Sequence, residues 1–191
     1  MTGVAELRTY GGVDGERRRA DRRARVLDAG LDLLAADGTE LTVRGVCRVA
    51  GVATRYFYEN FADRDALADA VYDRIVADLV AATSSALDRA DGPLPVRVRA
   101  AVEAVLAVVA DDPRTGRVLF GPGHAARRAA AAPSLARLFA ARSPDPDELT
   151  GAFAVGGLSH VVHSWLAGEV TATREQVVDR CTALLVALHH G

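Results

Sequence analysis

Leu67, Val71, Ile75 and Leu79 recur at every fourth residue, and the stripe runs on towards Leu87. Only a helix places such a series on one face. The same spacing organises the other apolar segments of this 191-residue chain, beginning with Leu27, Leu31 and Leu34, broadened by Val26 and Leu33. Val43, Val46, Val49 and Ala50 form a shorter stripe. Beyond them, helices are expected over 96–110, 113–120, within 124–141, over 148–167 and over 174–189. No segment alternates apolar and polar residues as a strand does, and no internal repeat is visible. The expected fold class is all-α.

Breaker and capping residues divide these stripes. Gly38 stands as the stop of a first helix that starts at Arg17, and Thr42 as the N-cap of a second that Gly51 ends. Gly45 occupies the position where a capping box carries an acid or amide, at a cost of about 1 kcal/mol of local helix stability. Thr54 is expected to cap a third helix running to Phe61, and Asp63 a fourth. Pro133 should kink or restart its helix, and Ser143-Pro144-Asp145-Pro146 marks a loop. Residues 1–16 hold four glycines without periodicity and are expected to be a flexible tail.

Half of the chain is apolar, enough for a sizeable core. No apolar run reaches the roughly 18 residues of a spanning helix, and the N-terminus lacks a signal peptide's apolar centre, so a soluble cytoplasmic protein is expected. Cys47 and Cys181 fall in no ligand spacing and are expected to be buried thiols, with no metal and no cofactor implied. Net charge is only −2, but it is unevenly placed. Residues 17–64 carry ten Arg against seven acids, and 65–191 twelve against fifteen. The basic end is the N-terminal one, the sign that a polyanionic partner would favour.

Tyr56, Phe57, Tyr58 and Phe61 place four of the ten aromatic residues within six positions. At about 100° per residue a helix turns Phe57 and Phe61 to one side and the two tyrosines to opposite flanks, so one face cannot bury all four. With the phenylalanines inward, Arg55 and Glu59 point away from the core, and Tyr56, Tyr58 and Asn60 line the flanks. Two short helices, VRGVCRVA and TRYFYENF, meet through a glycine-containing turn. This is the helix-turn-helix arrangement, whose second helix enters the DNA major groove.

The stretch LTVRGVCRVAGVATRYFYENFADRDAL resembles the N-terminal signature of the TetR family of bacterial transcription regulators. The resemblance rests on Thr42-Val43-Arg44 opening the second helix, Ala50-Gly51-Val52 at the turn, Phe57-Tyr58 with Phe61 in the recognition helix, and Arg64-Asp65-x-Leu67 opening the fourth. It covers about residues 22–70. It implies that Tyr58, Asn60 and Arg64 hold the DNA backbone, and that Thr42, Arg44, Thr54, Arg55 and Tyr56 meet phosphates or base edges. Arg55 and Tyr56, which stand where small residues are usual, become the candidates for reading sequence. Residues 17–64 would then be the DNA-binding domain and 65–191 a ligand-binding and dimerisation domain.

A single reading helix contacts too little DNA for useful specificity, so a homodimer is expected on a palindromic, double-stranded operator. Its surface is sought on the last two helices, at Gly151, Gly156, Gly157, Val177, Leu184 and Leu188. The resemblance further implies that helices four to eight enclose a pocket for a small-molecule effector that releases a repressor from DNA. Phe120, His124, Phe139, Phe153, His160, His163 and Trp165 are the large or polar candidates for its lining. His160 and His163 share a helix face, but no third ligand stands at a fitting spacing. An all-α interaction module without DNA binding is the alternative. An enzyme is disfavoured, because no nucleophile elbow, P-loop or HExxH occurs.

Overall fold

A computed structural model describes the backbone over residues 5–36, 38–121, 124–140 and 147–188; the side chains of 5–14, 134, 138 and 139 lie outside the described part. Among the described residues there are nine helices and no strand: α1 (Ala5–Ala35), α2 (Val43–Ala50), α3 (Thr54–Tyr58), α4 (Arg64–Arg89), α5 (Leu94–Ala110), α6 (Pro113–Phe120), α7 (Ala125–Ala140), α8 (Glu148–Leu166) and α9 (Arg174–Ala187). The all-α expectation holds. The chain divides into two compact units, residues 1–71 and 72–191.

The first unit is built from α1, α2, α3 and the opening turns of α4. Val26, Leu27, Ala29, Leu31 and Ala35 of α1 are buried with Val46, Cys47 and Ala50 of α2, Phe57 of α3, Phe61, and Leu67, Ala68 and Val71 of α4. Gly30 lets α1 approach α4 closely, since a Cβ there would stand 3.0 Å from Val71 Cγ2 and 3.2 Å from Leu67 Cδ2. This packing carries the unit to Val71, seven residues beyond the boundary expected at residue 64. Helix α1 starts at Ala5 and not at Arg17, so residues expected to form a tail are largely helical. Extending an existing helix adds a hydrogen bond for each residue fixed and avoids the cost of nucleation.

In the second unit, α5 packs on α6 and α9, and α7 on α8. Val98, Val102, Leu106 and Val109 of α5 are buried, as are Val118 and Leu119 of α6, Ala154 and Val162 of α8, and Val177, Val178, Cys181 and Leu185 of α9. Burial raises the Cys181 thiol above its ordinary pKa. The helices start on side-chain caps: Asp112 on α6, Asp147 on α8, and a Thr173–Gln176 capping box on α9. Helix α7 runs through Pro133, which lies inside it and donates no backbone hydrogen bond. The loop expected at 143–146 lies outside the described residues.

Candidate nucleic-acid interface

The geometry begins with the caps of α2. Thr42 is extended (φ −126°, ψ 145°), and its Oγ1 accepts from the Gly45 amide at 3.1 Å. A Cβ at position 45 would stand 2.9 Å from that oxygen, so glycine permits the close approach. At the other end Gly51 turns left-handed (φ 63°, ψ 40°), and the Val52 amide donates to the Cys47 carbonyl at 3.1 Å. Glycine takes this conformation without the penalty a side chain imposes. Three residues after Gly51, α3 begins.

Helix α3 is shorter than expected, ending at Tyr58 where the sequence suggested Phe61. Thr54 is its first helical residue and not its cap; Ala53 takes the cap position and supplies no side-chain acceptor. The amides of Glu59, Asn60 and Phe61 fold back to the carbonyls of Arg55 and Phe57, so the chain leaves the helix in a tight turn. Phe57 is 0% and Phe61 5% exposed, their ring centroids 5.7 Å apart. The Tyr58 ring stands edge-on to Phe57 at 5.4 Å yet remains 58% exposed. The outward residues are those expected: Thr42, Arg44, Thr54, Arg55 and Arg64 are exposed, and Tyr56 and Asn60 half-buried.

Several of these groups already have partners. Arg22 of α1 and Arg55 both place their guanidinium carbons over the Tyr56 ring, at 4.5 and 4.7 Å from its centroid. Arg55 also donates to the Tyr56 hydroxyl at 2.8 Å. Arg23 stands over Phe61 at 5.4 Å. Arg22 and Arg23 of α1 therefore buttress the α3 region, a role sequence reading did not assign; the run Arg17–Arg25 suggests an arm along the DNA backbone or minor groove, or a solvated helix face. Asn60 donates to the Tyr56 carbonyl at 2.9 Å, and Arg64 pairs with Glu40, a residue not singled out from sequence. That carboxylate raises the Arg64 pKa above its ordinary value, first through the hydrogen bond and then through charge.

The family described as "Bacterial regulatory proteins, tetR family" matches residues 26–71, the segment holding the end of α1, the two short helices and the start of α4. The match covers this N-terminal segment, about a quarter of the chain. The matched segment is the one that holds the helix-turn-helix described above. Solved structures share the fold over nearly the whole chain. A TetR-family transcriptional regulator from Syntrophomonas wolfei aligns with a TM-score of 0.72 at 15% identity, covering 90% of this chain and 96% of its own. One from Marinobacter aquaeolei aligns at 0.66 and 18%, covering 91% and 97%. The multidrug binding protein EbrR, solved with imidazole, aligns at 0.62 and 20%, covering 87% and 94%. Among curated proteins no sequence matches.

The second unit contains a cavity of about 180 Å³. Its walls are mostly aliphatic residues of α4, α5 and α8, with Thr83, Ser84, Arg97 and Ser159 among them, closed by Leu119, Phe120, Leu135 and Leu185. Of the expected lining residues whose side chains are described, only Phe120 reaches it. His163 is half-buried with its ring 5.9 Å from that of Phe120, and Trp165 donates to the Ala172 carbonyl at 2.9 Å. His160 is exposed, Phe153 is 69% exposed, and the side chain of Phe139 is outside the described residues. His124 lies outside the lining with a buried Nδ1 that has no partner among the described residues; burial, then the charges of Arg127 and Arg128, lower its pKa. The expectation followed aromatic and polar residues, whereas the walls come from the inner stripes of α4 and α5. No group of three His, Cys, Asp or Glu that could hold a metal occurs among the described residues.

The residues expected at a dimer surface separate into two sets. Gly151 is buried against α7, where a Cβ would stand 2.7 Å from the Ala136 carbonyl oxygen, and Val177 is buried in the unit's core. Both are spent within one chain and cannot face a second. Gly156 and Gly157 are open, Leu184 is 56% exposed and Leu188 half-buried. Leu149, at 81% exposure, and Phe153 join them.

Proposed function

We propose that the chain is a homodimeric repressor that reads a palindromic operator through α3 and leaves it when a small molecule fills the second unit's cavity. The observation that carries the reading is the two-sidedness of α3, which buries Phe57 completely and turns Arg55 and Tyr58 to solvent immediately after a glycine turn. Thr42, Arg44, Tyr58, Asn60 and Arg64 then hold phosphates, and Thr54, Arg55 and Tyr56 meet base edges. The Arg22–Tyr56–Arg55 stack fixes those side chains before DNA arrives, which lowers the ordering cost of binding.

The dimer is assigned to α8 and α9. Leu149, Phe153, Gly156 and Gly157 follow a helical stripe that no part of the described chain covers, with Leu184 exposed on α9. Open glycines at 156 and 157 allow a second helix to approach closely. Helix α4 links the two functions within one element: Leu67 and Val71 belong to the reading head's core, and Leu79, Val80 and Thr83 line the cavity. A ligand that favours one position of the α4 C-terminal half releases DNA only if it binds that state more tightly, by roughly 5.5 kcal/mol to move a 1:99 balance to 99:1.

Selection of bound fragments from genomic DNA, followed by mobility shifts on the recovered sequence, tests the reading. Arg55→Ala and Tyr56→Ala should each weaken operator binding while the dimer persists. Equal operator affinity for wild type and both variants would reject α3 as the reading element.

A further inference from the structure

The cavity's shape and its one charge define a ligand class more narrowly than "small molecule". Its α5 wall runs from Leu94 and Arg97 through Val98, Ala101, Val102 and Val105 to Val109. From Arg97 to Val109 that is about 18 Å of helix at 1.5 Å per residue. The lining of this cavity of about 180 Å³ is therefore elongated along α5, and an extended chain matches that length.

The two ends differ chemically. At the far end Val109, Leu119 and Phe120 offer no polar side-chain atom. At the α4–α5 hairpin end stand Thr83, Ser84 and Arg97, brought to similar heights because the two helices are joined by only four residues, Ala90–Pro93. Thr83 spends its hydroxyl proton on the Leu79 carbonyl at 2.8 Å and cannot donate to a ligand. Arg97 is the only charged residue among the described lining residues, and it is exposed. The neighbouring guanidinium of Arg99 is neutralised by Glu103 and Asp179. Arg97 has no such partner among the described residues, and a guanidinium is the side chain best suited to a carboxylate.

We infer that the effector is an unbranched, carboxylate-terminated acyl chain of about ten carbons, lying along α5 with its head on Arg97 and its tail against Phe120; a staggered chain of ~1.5 Å bonds advances ~1.3 Å per bond, so ten carbons span about 12 Å, and the long Arg97 side chain takes up the remaining ~6 Å. The inference rests on the ligand-released reading above and specifies its ligand. Burial of each further methylene adds about fourfold in affinity, so two add about fifteenfold.

Calorimetric titration of the free, full-length protein with octanoate, decanoate and decan-1-ol tests this without DNA. Decanoate should bind about fifteenfold more tightly than octanoate. Arg97→Gln should weaken decanoate about tenfold and leave decanol unchanged, since it removes a charge-assisted contact but no tail contact. Ala101→Phe, which fills the channel at mid-length, should abolish both. Equal loss of decanoate and decanol in Arg97→Gln, unchanged decanoate binding in that variant, or no chain-length dependence would overturn the assignment. A separate mobility shift keeps the two readings apart. Decanoate binding with these dependences but without operator release would uphold the ligand class and refute ligand-released regulation, whereas release by another compound with no binding of decanoate would do the reverse.

Discussion

Phe57→Ala should disable the reading head while leaving the second unit folded, and the size of the effect follows from what holds α3 in place. The helix has five residues, no side-chain cap, and an outward face of Arg55 and Tyr58. Isolated helices shorter than about 12–15 residues are marginal in water, so α3 persists only by docking. Phe57 is fully buried and touches Phe61, itself almost wholly buried. Truncating such a ring costs about 3–5 kcal/mol. A unit of 71 residues, at 0.05–0.15 kcal/mol per residue, has roughly 4–11 kcal/mol to lose. Tyr58→Ala removes only an edge contact from a largely exposed ring and should cost about 1 kcal/mol or less.

Hydrogen exchange read by mass spectrometry separates the units, which a single global denaturation curve would not. In Phe57→Ala, amide protection over α2 and α3 should fall by roughly a hundred- to several-thousand-fold, at ~1.4 kcal/mol per tenfold, with α5 and α9 unchanged. Tyr58→Ala should lower the same protection by less than about tenfold. DNA affinity should fall in both variants, through unfolding in the first and lost contact in the second. Native-like protection of α3 in Phe57→Ala, or a larger loss in Tyr58→Ala, would refute the view that one buried ring holds this helix.

Arg64→Ala should weaken binding to every duplex and flatten the dependence of log affinity on log salt, as loss of a phosphate contact does. Glu40→Gln should act oppositely, steepening that dependence, because it frees the guanidinium that Glu40 now holds; an unchanged slope in both would remove Arg64 from the interface. Phe153→Arg should convert the dimer to monomer in sedimentation while each chain stays folded, and a persisting dimer would move the interface off α8. His124 has a folded-state pKa below the ordinary value of about 6.5, so the unfolded chain binds the proton more readily and stability falls as pH drops below that value. His124→Gln should flatten this decline in the second unit's thermal midpoint, and an equal slope in the variant would assign it elsewhere.

The reading head was legible in the sequence because its determinants are local. Thr42, Gly51 and Asp63 mark helix ends through hydrogen bonds within three or four residues, and the structure shows Thr42 accepting from Gly45 and Asp63 from Ala66. Phe57 and Phe61 were separable from Tyr58 by helical phase alone. Thr54 failed as a cap because Ala53 already supplied the extended residue before α3, and nothing in the one-dimensional pattern tells these neighbours apart. The cavity and the α8 surface depend on contacts distant in sequence, and there the reading by residue type misled. Phe153 is a large aromatic on an apolar helix, and its phase relative to Gly151 and Ala154, both buried, decides that it faces outward. Gly151 and Gly156 look alike in sequence, yet one is pressed against the Ala136 carbonyl and the other stands open. Helical phase counts from whichever residue is buried, and that origin is set by the neighbouring helix. Where the neighbour is the next helix across a tight turn, as for α2 and α3, the origin can be found from sequence; where it lies far along the chain, as for α5 against α9, or across a longer connection, as for α7 against α8, only the packed structure supplies it.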